Sequence, residues 1–143
     1  MRTVNRSSLP PEYVTGLVEA SGSFTFSRSR GQFSLYFAIR LGHADAEVLR
    51  AVQRYFRGHG RIYSVRPASK ASKPASYYRV NRLAELRRIV LHFDRYPLRG
   101  SKRRSYEIWK RMVMLKVATF GEPPGARLET LARALSGASA RGR

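Results

Sequence analysis

The side chains best suited to chemistry in this chain recur at every second position along short stretches. They are Thr25, Ser27 and Ser29; Gln32, Ser34, Tyr36, Ala38 and Arg40; Arg61 and Tyr63; and Tyr77, Arg79 and Asn81. A guanidinium matches the O6/N7 edge of guanine, and a carboxamide matches adenine, each through two hydrogen bonds. Such groups hold a partner through hydrogen bonds and stacking; they do not make or break covalent bonds. Arg28 and Arg30 flank a turn at Gly31 and could reach bases or phosphates, while Lys70, Lys73 and the run Lys102-Arg103-Arg104 suit phosphate contacts. No constellation for covalent or acid–base work stands beside them. His43, His59 and His92 are dispersed without metal-ligand spacing, no serine sits in a nucleophile elbow, and no glycine-rich phosphate loop is present. The chain has no cysteine, which excludes a thiolate zinc site and a disulfide framework.

These positions need strands to hold them. Residues 23–30 alternate polar and aromatic side chains, the pattern of a half-buried strand. Residues 32–41 alternate again, with Phe33, Leu35, Phe37, Ile39 and Leu41 on one face. Two more strands are expected at 61–66 and 77–81, joined by a basic loop over 67–76 that carries Lys70 and Lys73. Before the first strand, residues 8–21 predict an amphipathic helix capped by Ser8, with prolines 10 and 11 in its first turn and Gly22 as its stop. Val14, Leu17 and Val18 repeat on one side of it; Gly16 and Ala20 leave another side nearly bare, so a second backbone could approach closely. Further helices are expected at 45–57 with Asp45 as cap, and at 83–95, 102–119 and 126–136. Residues 1–7 read as a flexible lead-in, 8–120 as the main domain, 121–136 as an appended C-terminal helix and 137–143 as a disordered tail. The order of helix, two strands, helix, two strands, helix and extra helices gives an α+β fold with two hairpins, not alternating βα units.

Charge narrows the partner. The 143 residues hold 28 Lys and Arg against 9 Asp and Glu, a formal net charge of +19. Such an excess calls for a polyanion, because each phosphate neutralised releases a condensed counterion. Nucleic acid fits better than a membrane surface, since the aromatic residues alternate as in strands and do not form an amphipathic surface helix. No apolar run approaches the ~18 residues of a membrane span and no secretory signal opens the chain, so the expected location is the cytoplasm or an organellar matrix.

The stretch Val14-Thr15-Gly16-Leu17-Val18-Glu19-Ala20-Ser21-Gly22 resembles the signature of the LAGLIDADG homing endonucleases. Three other stretches are similar to the same family: Ile39-Arg40-Leu41 with Asp45 and Leu49; Gly58-His59-Gly60-Arg61-Ile62-Tyr63; and Tyr96-Pro97-Leu98 through Lys102, with Tyr106 and Trp109. The resemblance implies the family's αββαββα fold, whose four-stranded antiparallel saddle lies over the major groove of duplex DNA. It also implies that two copies pair through the signature helix, at Tyr13, Gly16, Leu17 and Ala20, so that a homodimer meets a pseudo-palindromic site. In the family, the residue before the final glycine is a carboxylate that holds magnesium; here it is Ser21. Glu19 lies two residues away, roughly 200° round the helix, where the family carries a structural or capping acid. Ser101, with Lys102 one place later, falls where the family often has a basic residue that polarises the scissile phosphate. The expectation is sequence-specific DNA binding with cleavage lost or impaired, with no metal-ligand set assigned and magnesium needed only by an active form. The alternatives are an active magnesium-dependent homing endonuclease; an RNA-binding intron maturase that uses the basic saddle with Tyr36, Tyr63 and Tyr77; and a non-specific basic protein with a steep salt dependence.

Overall fold

A computed structural model describes residues 8–65, 73–123 and 125–141; Lys70, the expected lead-in and the last two residues lie outside them. Helix α1 (Pro11–Ser21) runs without a linker into strand β1 (Gly22–Ser29). Gly22 makes that junction possible, because a Cβ there would lie 2.5 Å from Val18 Cγ1. The helix begins at Pro11 with Pro10 as N-cap, not at Ser8, and no side chain caps it. Strand β2 (Gln32–Gly42) follows a tight turn in which Arg30 and Gly31 both adopt positive φ, at 52° and 75°. A short 3₁₀ turn (His43–Asp45) leads to α2 (Ala46–Tyr55), so Asp45 closes that turn and its carboxylate makes no cap bond. Then come β3 (Arg61–Val65), β4 (Ala75–Val80), α3 (Leu83–Arg95), α4 (Lys102–Ala118) and α5 (Ala126–Arg141).

The strands form one antiparallel sheet in the order β1-β2-β4-β3. Its inner face meets the helices. Phe24, Phe33, Leu35, Phe37, Ile39, Tyr78 and Val80 are buried there against Val14 and Val18 of α1 and Trp109 and Met112 of α4. Phe24 is the hub, with its ring centroid 5.1–5.4 Å from those of Phe37, Phe93, Tyr106 and Trp109. Helix α5 departs from expectation. It continues to Arg141 instead of stopping at 136, and Ala138 is buried, so residues 137–141 are helix and not a disordered tail. Small residues at Ala132 and Ala138 let α5 lie close to its neighbours, a packing reason that low hydrophobicity conceals.

A buried polar chain ties three helices together behind the sheet. The Thr15 hydroxyl donates to the Tyr96 carbonyl at 2.9 Å and so accepts from His92 Nε2–H at 3.0 Å. His92 Nδ1 is then the acceptor for the Tyr55 hydroxyl at 2.8 Å. This arrangement needs a neutral imidazole, and burial pushes its pKa down to about 4. The unfolded chain takes up this proton near pH 6.5 and the folded chain only near 4, so the stabilisation is complete above 6.5 and is lost as pH falls through that interval. Urea midpoints should therefore decline between pH 6.5 and 5, above the range of ordinary carboxylates, and His92→Gln should flatten that decline while lowering stability at pH 7.

Candidate nucleic-acid interface

Strand alternation sends the other set of side chains to the open face of the sheet. Thr25, Ser27 and Ser29 lie on it from β1; Gln32, Ser34, Tyr36, Ala38 and Arg40 from β2; Arg61 and Tyr63 from β3; and Tyr77 and Arg79 from β4, with Asn81 just beyond. The register sets them in rows across the sheet. Ser23, Ala38, Arg79 and Arg61 make one row, and Arg40, Tyr77 and Tyr63 the next. Tyr63 and Tyr77 stack at 5.4 Å with their planes 8° apart, and the Arg40 guanidinium lies 5.7 Å from the Tyr77 ring. The Arg79 guanidinium lies 3.7 Å from the centre of Tyr36. Ala38, at 9% exposure, is nearly covered and serves as the floor of the row. Among the described residues, Arg40, Arg61 and Arg79 have no acidic partner within salt-bridge distance. A cationic face without internal compensation is the electrostatic counterpart of a phosphate lattice.

Arg28 does not belong to this face. It shares the inner side of β1 with Phe24 and Phe26, bonds Glu129 of α5 at 2.8 Å, and lies 4.7 Å from the Phe33 ring. Its task is to tie the hairpin to α5, and the partner that fixes it is 101 residues away in sequence. Arg30 stays exposed at the hairpin tip, and Lys73 is exposed at the start of the approach to β4.

The junction of α1 and α4 joins the signature-helix positions. The Glu19 carboxylate accepts from the backbone N–H groups of Arg99 and Gly100, the latter at 3.0 Å. In return, Lys102 Nζ donates to the carbonyls of Val18 and Glu19 at 3.1 and 3.0 Å. The end of α1 thus binds the turn that leads into α4, and the first residue of α4 binds the last turn of α1. Burial lowers the Lys102 pKa, and the Glu19 charge pushes back in the opposite direction. Ser101 is exposed beside this clasp and makes no side-chain cap bond to α4. Sequence reading did not find the clasp; its members lie 80 or more residues apart, and no local pattern marks them.

This junction does not fit a divalent cation. Ser21 offers an uncharged hydroxyl, Glu19 spends its oxygens on backbone N–H groups, and the nearest cation is the Lys102 ammonium. Among the described residues, no group of three acidic, histidine or cysteine side chains could hold a metal ion. Further along α1, Tyr13 is 46% exposed, Ala20 is exposed, Leu17 is half-buried, and nothing lies within 4 Å of where a Gly16 Cβ would stand.

The described residues form a helix-backed antiparallel sheet with a cationic outer face. The family model described as LAGLIDADG endonuclease matches residues 14–113, and the chain belongs to that family. A 50.9 kDa protein of uncharacterised role in ND4 intron 1 of Podospora anserina is 32% identical over 118 residues, covering 76% of this chain and 25% of that protein. The chain therefore spans about a quarter of that relative's length. Among solved structures, the LAGLIDADG meganuclease I-AabMI bound to uncleaved DNA superposes with a TM-score of 0.74 at 24% identity, over 87% of this chain and 44% of that one. The homing endonuclease I-TnaI gives 0.68 at 22% identity, over 92% of this chain and 99% of that one. These structures share the LAGLIDADG homing-endonuclease fold of four antiparallel strands backed by helices. No helix among the described residues is long and apolar enough to cross a membrane.

Proposed function

We propose that this chain binds duplex DNA sequence-specifically as a homodimer and does not cleave it efficiently. The observation that carries the binding is the acid-free outer face of the sheet, where arginine and tyrosine stand in register rows. A two-stranded ribbon fits the major groove, and such side chains discriminate base edges there. The open side of α1 supports pairing, because nothing described lies within 4 Å of where a Gly16 Cβ would stand and Ala20 is exposed. Two copies joined through the open side of α1 would read two related half-sites. Ser21, with the Glu19–Lys102 clasp behind it, supports the loss of metal-assisted hydrolysis.

Selection from a randomised duplex library at physiological salt tests the reading. A long, near-palindromic consensus is the expected result. Absence of enrichment, with binding that vanishes as salt rises, would refute sequence-specific recognition, and preferential capture of structured RNA in competition would replace duplex DNA as the partner.

Pairing has its own test at Gly16. A Cβ at Gly16 meets no described atom within 4 Å and the position is exposed, so Gly16→Leu should raise the stability of the single subunit by about 0.5–1 kcal/mol through helix propensity. The same leucine should prevent close contact between two α1 helices. Sedimentation should then show monomers where the parent chain gives dimers.

A further inference from the structure

We infer that Arg79 is a preorganised guanine reader, held with one flat face against Tyr36, and that it sets one base of each half-site. The inference rests on the proposed duplex binding and adds which residue reads which base.

The free protein shows an incomplete arrangement at Arg79. Its Nε is buried and has no hydrogen-bond partner among the described residues, although a buried donor on a charged group is costly to leave unpaired. Its guanidinium is stacked on Tyr36 at 3.7 Å, so one flat face is already occupied. Arg61 stands directly opposite on β3, a pairing of like charges that destabilises a sheet when nothing answers it. No described acid comes within salt-bridge distance of either arginine. On the other side the register partner is Ala38, a small residue that is itself nearly covered and offers the guanidinium no acceptor from its side chain. External acceptors on the open face would answer the opposed charges of Arg61 and Arg79, while the shielded Nε holds no place for one.

The geometry selects the acceptor. With one face against the ring and Nε shielded, the terminal amino groups are the donors that remain, and they lie in one plane. A phosphate accepts from many directions and gains little from that constraint. The O6/N7 edge of guanine accepts two in-plane bonds and gains the most. Position agrees, because β4 is an inner strand and Arg79 lies mid-face, where the floor of a groove would sit, not at a rim facing the backbone. Fixing the side chain beforehand also reduces the ordering cost of binding. Arg61, on the edge strand, is left for a phosphate.

The test compares the consensus selected by the parent chain with those of Arg79→Lys and Arg61→Ala. The parent should select guanine at one symmetric position with a preference of roughly 10- to 100-fold. Arg79→Lys keeps the charge but not the fork. It should reduce that preference to within about threefold and leave the other positions unchanged. Arg61→Ala should keep the consensus, weaken all sites alike and lower the salt slope by about one per subunit. A parent consensus without such a guanine, or an Arg79→Lys consensus that retains it, overturns the inference while duplex recognition stands. Failure of the parent to enrich any sequence overturns both. Should Arg79→Lys fail to fold, Tyr36→Leu serves instead: it removes the ring but not the arginine, and unaltered guanine preference in that variant overturns the inference.

Discussion

Incubated with magnesium and its selected duplex, the parent chain should leave the DNA intact, and Ser21→Asp should cleave it at least roughly 100-fold faster, a gain of about 2.7 kcal/mol in transition-state stabilisation. The expectation follows from what stands at the end of α1. Hydrolysis of a phosphodiester at neutral pH needs a cation to hold an attacking water and the leaving oxygen. Magnesium takes hard anionic oxygens, and Ser21 supplies none. Glu19 cannot substitute, since moving its carboxylate would release the backbone N–H groups of Arg99 and Gly100 from their only side-chain acceptor among the described residues. An aspartate at position 21 puts a carboxylate beside Gly22 without disturbing that clasp, because Ser21 takes no part in it. Calcium titration of the unreacted complex provides a second readout. The parent should show no saturable site, and the variant should show one. Nicking by the parent above its Ser21→Ala control would overturn the claim of lost cleavage.

The elements that hold this site were legible because their signals are local. Alternation in 23–30 and 32–41 located β1 and β2, and the same alternation assigned Phe33, Leu35, Phe37 and Ile39 to the core. Leu83 through Arg95 is a helix with the expected limits, set by its apolar repeat. What stayed hidden depends on distant partners. Arg28 sits near a turn and reads as a DNA contact, although period two already put it beside Phe24 and Phe26; only Glu129, brought up by α5, shows where its charge is used. Glu19 and Lys102 each look like isolated ions in sequence, and become a clasp when the chain folds back over 80 residues. The end of α5 was misread because alanine, glycine and serine resemble a tail until a close neighbour makes their smallness useful.

Replacing Phe24 by alanine should destabilise the fold by roughly 3–5 kcal/mol, a large part of the stability of a domain this size. Phe24 is 3% exposed and meets four aromatic rings, contributed by β2, α3 and α4. Its edge-on contacts with Phe93 and Tyr106 add to the area it buries, since tilted and T-shaped pairs align ring edges with ring faces. Four large neighbours cannot all collapse into the vacated space, so a cavity should persist. The position of this residue gives the change a functional consequence. Phe24 lies three residues after Ser21 and its strand partner is Phe37, one residue before Ala38, so it anchors the point where α1 turns into the saddle. Loosening it should spread the rows that present Arg79 and Tyr36 even in molecules that remain folded. Urea unfolding of Phe24→Ala and Phe24→Leu will measure the effect. The leucine variant should recover much of the loss because it refills volume without the ring contacts. DNA affinity should follow stability through the pair. Alanine and leucine variants of equal stability would show that the aromatic cluster does not hold this junction.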